Sequence, residues 1–264
     1  MVRVGVVIVI VAIFAALAGP FLCPYDPSAQ ELARRLEAPS LAHPLGLDEL
    51  GRDILARLLQ GARISLMVGI AVVSVSSAAG MLLGSIAGYF GGRVDDLISR
   101  VIDVLMAFPG ILLAIALVAV LGPSLVNVVL ALSVIGWVGY ARLVRGQALR
   151  AREFEFVQAA RACGASSARI VLRHILPTAI PAVVVQATLG MAGAIIAEAA
   201  LSFLGLGVQP PTPSWGTMLD AGRAHLFDAP HLTIFPGLAI ATLVLGFNFL
   251  GDGLRDRVDP KMVR

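Results

Sequence analysis

Charge is scarce in this 264-residue chain: 14% of its residues are Asp, Glu, Lys or Arg, 58% are hydrophobic, and the mean hydropathy is +0.89. A soluble globular domain is nearer a quarter charged, so the composition excludes that class and indicates a polytopic membrane protein. Lysine is almost missing, with Lys261 alone against nineteen arginines. A nucleotide-binding P-loop needs a lysine after glycine-rich backbone. Lys261 follows Pro260, so the chain has no P-loop and is not expected to hydrolyse ATP. The two cysteines, Cys23 and Cys163, fall on opposite membrane sides in the topology below, which excludes a disulfide, and they offer no metal-ligand spacing. His43, His174, His225 and His231 are scattered. No H-E-x-x-H or G-x-S-x-G occurs, which leaves intramembrane proteolysis without its motifs. The net charge of +3 is modest, and nothing points to nucleic acid.

What is present is a series of apolar runs. Val4–Leu22 is uncharged and of bilayer-spanning length; the rival reading, a signal peptide cleaved near Ala16-Leu17-Ala18, suffers from a core longer than usual. Further spans are expected at about Ile64–Tyr89, Val101–Leu121, Leu125–Val144, Ala179–Phe203 and Ile234–Leu250. Gly80, Gly84 and Gly88 recur every four residues and stack on one helix face, where small residues let helices pack closely in lipid. Pro109 is expected to kink the third span, with Asp103 in its first turn. Trp137 and Tyr140 fit an interfacial aromatic belt. Gln186, Glu198 and Asn248 are polar intrusions and pathway candidates; Glu198, near a span end, equally suits a structural hydrogen-bonding role.

Between the first two spans, residues 23–63 are polar and carry both signs of charge, with a surface helix expected over Asp48–Gln60. Counting Lys and Arg by side gives fourteen with the N-terminus, the 145–177 loop and the C-terminus, against six on the other side. The positive-inside rule makes the first side cytoplasmic.

The stretch Glu153–Pro177, EFEFVQAARACGASSARIVLRHILP, is too polar for a membrane and reads as two short helices. Phe154, Val157 and Ala160 share a helical face. Gly164 is placed for a left-handed C-terminal cap, Ser166 or Ser167 for the next N-cap, and Pro177 for the handover to the following span. Ala159 and Ala160 leave a low-relief surface that another protein can approach, and Arg161, Arg169 and Arg173 keep the unit in water. An amphipathic helix lying on the membrane surface is the plainer alternative.

Gln158-Ala159-Ala160, then Gly164, then Leu176-Pro177 resembles the cytoplasmic "EAA" loop of ABC-importer permeases, with Gln158 in place of Glu and His174 in place of Ile. HPLGLDELGRDILARLLQGARISL, RHILP, AEAALSFLGLGVQPPTPSWGTML and GDGLRDRVDP are similar to the dipeptide/oligopeptide/nickel permease subfamily, specifically its second permease subunit. Five motifs in order cover most of the chain.

The resemblance implies an all-α membrane protein of six transmembrane helices with the type I ABC importer (MetI-like) permease fold and cytoplasmic coupling helices. It divides into an N-terminal span and extracytoplasmic segment (1–60), a permease domain (61–254) holding the coupling loop 145–177, and a cytoplasmic tail (255–264). The implied ATPase-coupling residues are Phe154, Val157, Gln158, Ala159, Ala160, Arg161, Gly164, Leu176 and Pro177. The implied partners are a homologous permease, two ATPase subunits or one fused ATPase, and an extracytoplasmic solute-binding protein. No cofactor is expected in this chain; ATP and Mg would sit in the ATPases. The cargo implied is short peptides, with nickel complexes, glutathione or haem as alternatives, imported across a bacterial or archaeal inner membrane. A stand-alone secondary transporter would call for more intramembrane charge and an internal repeat.

Overall fold

The structure, a computed structural model, describes residues 1–258. Lys261 and Arg264 of the charge count, and the last two residues of GDGLRDRVDP, lie outside the described residues. Among the described residues every regular element is a helix: α1 (Val2–Leu22), α2 (Ile54–Phe90), α3 (Gly92–Met106), α4 (Gly110–Leu121), α5 (Leu125–Ala151), α6 (Glu155–Ala162), α7 (Ser167–Ile170), α8 (Leu176–Phe203), α9 (Trp215–Gly222) and α10 (His231–Val258). A single π turn, Val171–Ile175, joins α7 to α8. Five helical stretches are long and apolar enough to cross a membrane, and the α3–α4 pair makes a sixth if counted as one broken span.

Four expectations need correction. The third span is not a kinked helix: α3 and α4 meet at 85°. Pro109 lacks an N–H and disfavours helical backbone at Phe108, so α3 stops at Met106 and Pro109 becomes the cap residue of α4. The twelve residues of α4 reach roughly 18 Å, short of a 30 Å hydrocarbon core. Asp103 thus lies in the last turn of α3, where its carbonyl accepts the Ala107 N–H at 3.0 Å. The buried side of α3, Ile98, Ile102 and Leu105, packs on Trp137, Val138 and Ala141 of α5. The Arg145 guanidinium grips Asp95 bidentately, Nη2 donating to Oδ2 at 2.8 Å.

The expected surface helix over Asp48–Gln60 is instead a turn followed by the start of α2. Asp53 caps that helix, its Oδ1 accepting the Ala56 N–H at 2.8 Å, which satisfies an orphan donor of the first turn. Tyr140 does not belong to an interfacial belt. Helix α5 runs on to Ala151, and Tyr140 is buried in mid-helix.

Glycines Gly80, Gly84 and Gly88 bring α2 against α5. A methyl at Gly80 would come within 2.7 Å of the Trp137 carbonyl oxygen, and one at Gly88 within 2.6 Å of Ala148 Cβ. In lipid, where hydrophobicity does not drive helix association, such contact is the main source of cohesion. Gly5 of α1 packs on Leu250 of α10, whereas Gly19 packs on Leu59 at the start of α2. The start of α1 and the last described turns of α10 therefore share one end of the bundle with the α6–α7 loop, and residues 23–53 and 204–230 occupy the other.

That second end is tightly tied. His43 Nδ1 meets Asp53 Oδ2 at 2.8 Å, Arg52 Nε donates to Asp48 Oδ2 at 2.7 Å, and Arg57 approaches the same carboxylate at 3.3 Å. All five side chains are buried. Trp215 of α9 donates its indole N–H to the Leu58 carbonyl at 2.9 Å. Nearer the surface, the Arg34 guanidinium holds Glu37 below its ordinary carboxylate range, and His225 does the same for Asp228.

Candidate functional site

The loop between α5 and α8 begins where α5 ends at Ala151. Arg152 turns back to donate to the Gly88 carbonyl at 3.3 Å, tying the loop to the end of α2. Helix α6 then runs for eight residues and closes in a Schellman motif. The Ala165 N–H donates to the Ala160 carbonyl at 3.0 Å, the Gly164 N–H donates to Arg161 at 3.0 Å, and Gly164 has φ +80°. The two hydrogen bonds satisfy carbonyls that a helix end leaves orphaned, and only a residue without Cβ takes that backbone freely. Ser166 accepts the Arg169 N–H at 3.4 Å and caps α7.

Val157 is the anchor. It is fully buried among Tyr89, Ala148, Ala151, Ile170, Val171 and Ile175, with Ala160, Ala165 and Leu176 packed alongside. Phe154 is not on that face. It precedes the helix in extended backbone, remains 45% exposed, and its ring lies 5.5 Å from Phe156. The two alanines also part company: Ala160 belongs to the packing side and Ala159 to the exposed side. Gln158 is exposed next to Ala159 and donates to the Glu153 carbonyl at 3.2 Å. The Arg161 guanidinium stacks over Tyr89 at 5.5 Å. Pro177 is exposed and does not end a helix. It occupies the first turn of α8, directly after the π turn. A proline in mid-helix removes one backbone hydrogen bond and crowds the carbonyl four residues back, and the wider π turn lies over that carbonyl.

The pathway candidates separate in space. Gln186 lines a cavity of about 300 Å³ between α2, α4, α5 and α8, together with Ser76, Gly110, Tyr140, Gly190 and Ala194. Glu198 is fully buried outside this lining. It accepts the Ser202 hydroxyl at 2.7 Å and the Ser65 hydroxyl at 3.3 Å, pinning α8 to α2. Asn248 is half-buried on α10 and does not line the cavity. Ser76 and Tyr140 were not legible as cavity residues. One signal was available for Ser76, which stands one turn before Gly80 on the face turned to α5.

Two family profiles match the chain: the binding-protein-dependent transport system inner membrane component over residues 80–264, and the N-terminal TM domain of oligopeptide transport permease C over residues 1–39. The dipeptide transport system permease protein DppC of Alkalihalophilus pseudofirmus is 47% identical over 98% of this chain and 85% of its own. The glutathione transport system permease protein GsiD of Pectobacterium atrosepticum is 48% identical over 96% of this chain and 85% of its own. Among solved structures, an inward-facing MetNI methionine ABC transporter superposes with TM-score 0.61 at 19% identity, over 77% of this chain and 97% of that one. An amino acid ABC transporter gives TM-score 0.57 at 16% identity, over 76% of this chain and 94% of that one. The fold is therefore the MetI-like permease fold, and the chain belongs to the family of binding-protein-dependent inner-membrane permeases, as a DppC/OppC-type second permease subunit of an ABC importer.

Proposed function

We propose that this permease pairs with a homologous permease to import short peptides, that its α6–α7 unit docks on a cytoplasmic ATPase, and that an extracytoplasmic binding protein delivers the cargo to the 23–53 and 204–230 end. The observation that carries the coupling role is mechanical. The exposed Gln158–Ala159 surface stands on a helix pinned by Val157, and α7 continues through the π turn into the full length of α8. A push on α6 is thereby handed to a helix that lines the cavity. ATP and Mg2+ would be held by the ATPase partners, since this chain lacks a P-loop lysine. Peptide cargo is favoured by the relatives' dipeptide and glutathione, both peptides, and by a cavity lined with uncharged groups.

The test is ATP-dependent uptake by the reconstituted complex, offered a dipeptide, an oligopeptide, a nickel chelate and haem. Uptake of the peptides is expected; uptake of the nickel chelate alone would refute the peptide cargo and leave the permease role intact. Orientation is tested with the native thiol. Cys163 is exposed on the α6–α7 end, so an impermeant thiol reagent added outside should spare it and modify Leu41→Cys. Modification of Cys163 from outside would invert the topology.

A further inference from the structure

The cavity beside α8 contains polar groups that the packing of the bundle leaves unused. Ser76 is 1% exposed, and its hydroxyl has no hydrogen-bond partner. Tyr140 is buried and reaches only the Gln186 carbonyl, at a stretched 3.5 Å. The Gln186 side-chain amide lines the same space. These residues lie at least ten positions from the ends of their helices, roughly 15 Å of helix rise, which puts them deep in the membrane. Ser77 and Ser85 of the same helix donate to the carbonyl three residues back, whereas the Ser76 hydroxyl is left unpaired in a region where hydrocarbon supplies no water to relieve it. Much of the remaining lining is glycine, alanine and aliphatic: Gly110, Gly136, Gly190, Gly193 and Ala194 hold back side chains from the space.

We infer that Gln186, Tyr140 and Ser76 form an intramembrane subsite for the peptide unit of the cargo, a reading that rests on the peptide-import function proposed above. A peptide group presents one N–H donor and one C=O acceptor, and a glutamine amide can pair with both. The serine and tyrosine hydroxyls supply further neutral donors and acceptors. Among the lining residues none is charged, so a bare ion would shed its hydration for nothing in return. The volume of about 300 Å³ is at the small end of ligand-sized cavities, roughly 300–1,000 Å³. It suits a dipeptide-sized segment with its side chains against the apolar walls. Gln186, Gly190, Gly193, Ala194 and Ala197 follow helical spacing along one stripe of α8, the helix continuous with α7. The contact would thus lie on the helix into which the proposed ATPase-facing unit continues through the π turn.

The test uses the complete reconstituted complex with its binding protein saturated, so that selection by that protein cancels. Maximal uptake of a dipeptide is compared with that of the isosteric ester-linked analogue, which lacks the amide N–H. The native chain is expected to prefer the dipeptide by about tenfold, Gln186→Leu to lose that preference, and Gln186→Asn to retain part of it. An unchanged ratio in Gln186→Leu would overturn the subsite and leave peptide import standing; no peptide uptake by the native chain would overturn both. Occupancy is read independently in a chain with Cys23 and Cys163 replaced by serine and Ala197→Cys introduced. Dipeptide should slow alkylation of that thiol in the nucleotide-trapped complex, and equal alkylation with and without dipeptide would also overturn the subsite.

Discussion

At one end of the bundle His43, Asp48, Arg52, Asp53 and Arg57 are buried and mutually paired, and Trp215 bonds across to α2. At the other, α6 is held against the ends of α2 and α5 by Val157, the stacking of Arg161 on Tyr89 and the Arg152–Gly88 link, with Gln158, Ala159 and Gly164 turned outward. Removing one member of a buried charge network leaves its partners uncompensated, so the first end resists rearrangement. The second is held by apolar packing of Val157 and Ile170 and by the Arg161–Tyr89 stack rather than by a buried ion-pair network, so it can shift without stranding a buried charge. The contrast sets a fixed platform at one end of the bundle against a movable lever at the other, which is the division of labour that the proposed function requires.

Four substitutions break or sharpen that contrast. The largest effect is expected from Asp48→Ala, which strands Arg52 and Arg57 without their shared carboxylate. We predict a loss of about 3–5 kcal/mol, read as a fall in the thermal midpoint of the detergent-purified chain; an unchanged midpoint would show the network to be dispensable. Val157→Ala should cost about 2 kcal/mol by exposing a cavity under α6. Protease should cut near Gly164 faster, while the 23–53 segment keeps its native resistance. Equal acceleration at both ends would abolish the distinction. Gly164→Val forces a β-branched residue into left-handed backbone, at about 1–2 kcal/mol. A Cβ there meets nothing within 4 Å, so strain alone is expected, with uptake reduced and the chain still inserted. Smallest in stability is Ala159→Glu, within about 0.5 kcal/mol as an exposed change. It should nonetheless abolish copurification of the ATPase, whereas Ala160→Glu would damage α6 packing and confuse the two causes. Native ATPase retention in Ala159→Glu would remove α6 as the docking surface.

Gly164 and Ser166 were legible in the sequence because caps depend on a few adjacent residues. The number of apolar runs was legible for the same reason that hydropathy works in lipid, and Gly80, Gly84 and Gly88 announced a close-packed face by spacing alone. The break before Pro109 was not. Averaged hydropathy treats Val101–Leu121 as one run, and a proline in a span is compatible with anything from a mild kink to a right angle. The start of α2 was placed ten residues late because Arg57, Gln60 and Arg63 read as a water-exposed segment, when Asp48 compensates the buried Arg57. The split between Ala159 and Ala160, and the outward turn of Phe154, depended on tertiary contacts with α2 and α5 that no local pattern contains. Glu198 stayed ambiguous for lack of Ser65, 133 positions away.

The π turn at Val171–Ile175 also acts as a phase adjuster. It accommodates one residue more per turn than the α-helix on either side, and an α-helix advances about 100° per residue. Were that turn to close into α geometry with every residue retained, the α6–α7 surface would swing by about 100° around the axis of α8 relative to the stripe bearing Gln186. Deleting Leu172, which is exposed, would instead keep the two faces in step while removing the slack between them. The angular setting of the cavity-lining stripe is thus fixed neither by α7 nor by α8 alone, but by the winding of the five residues that connect them.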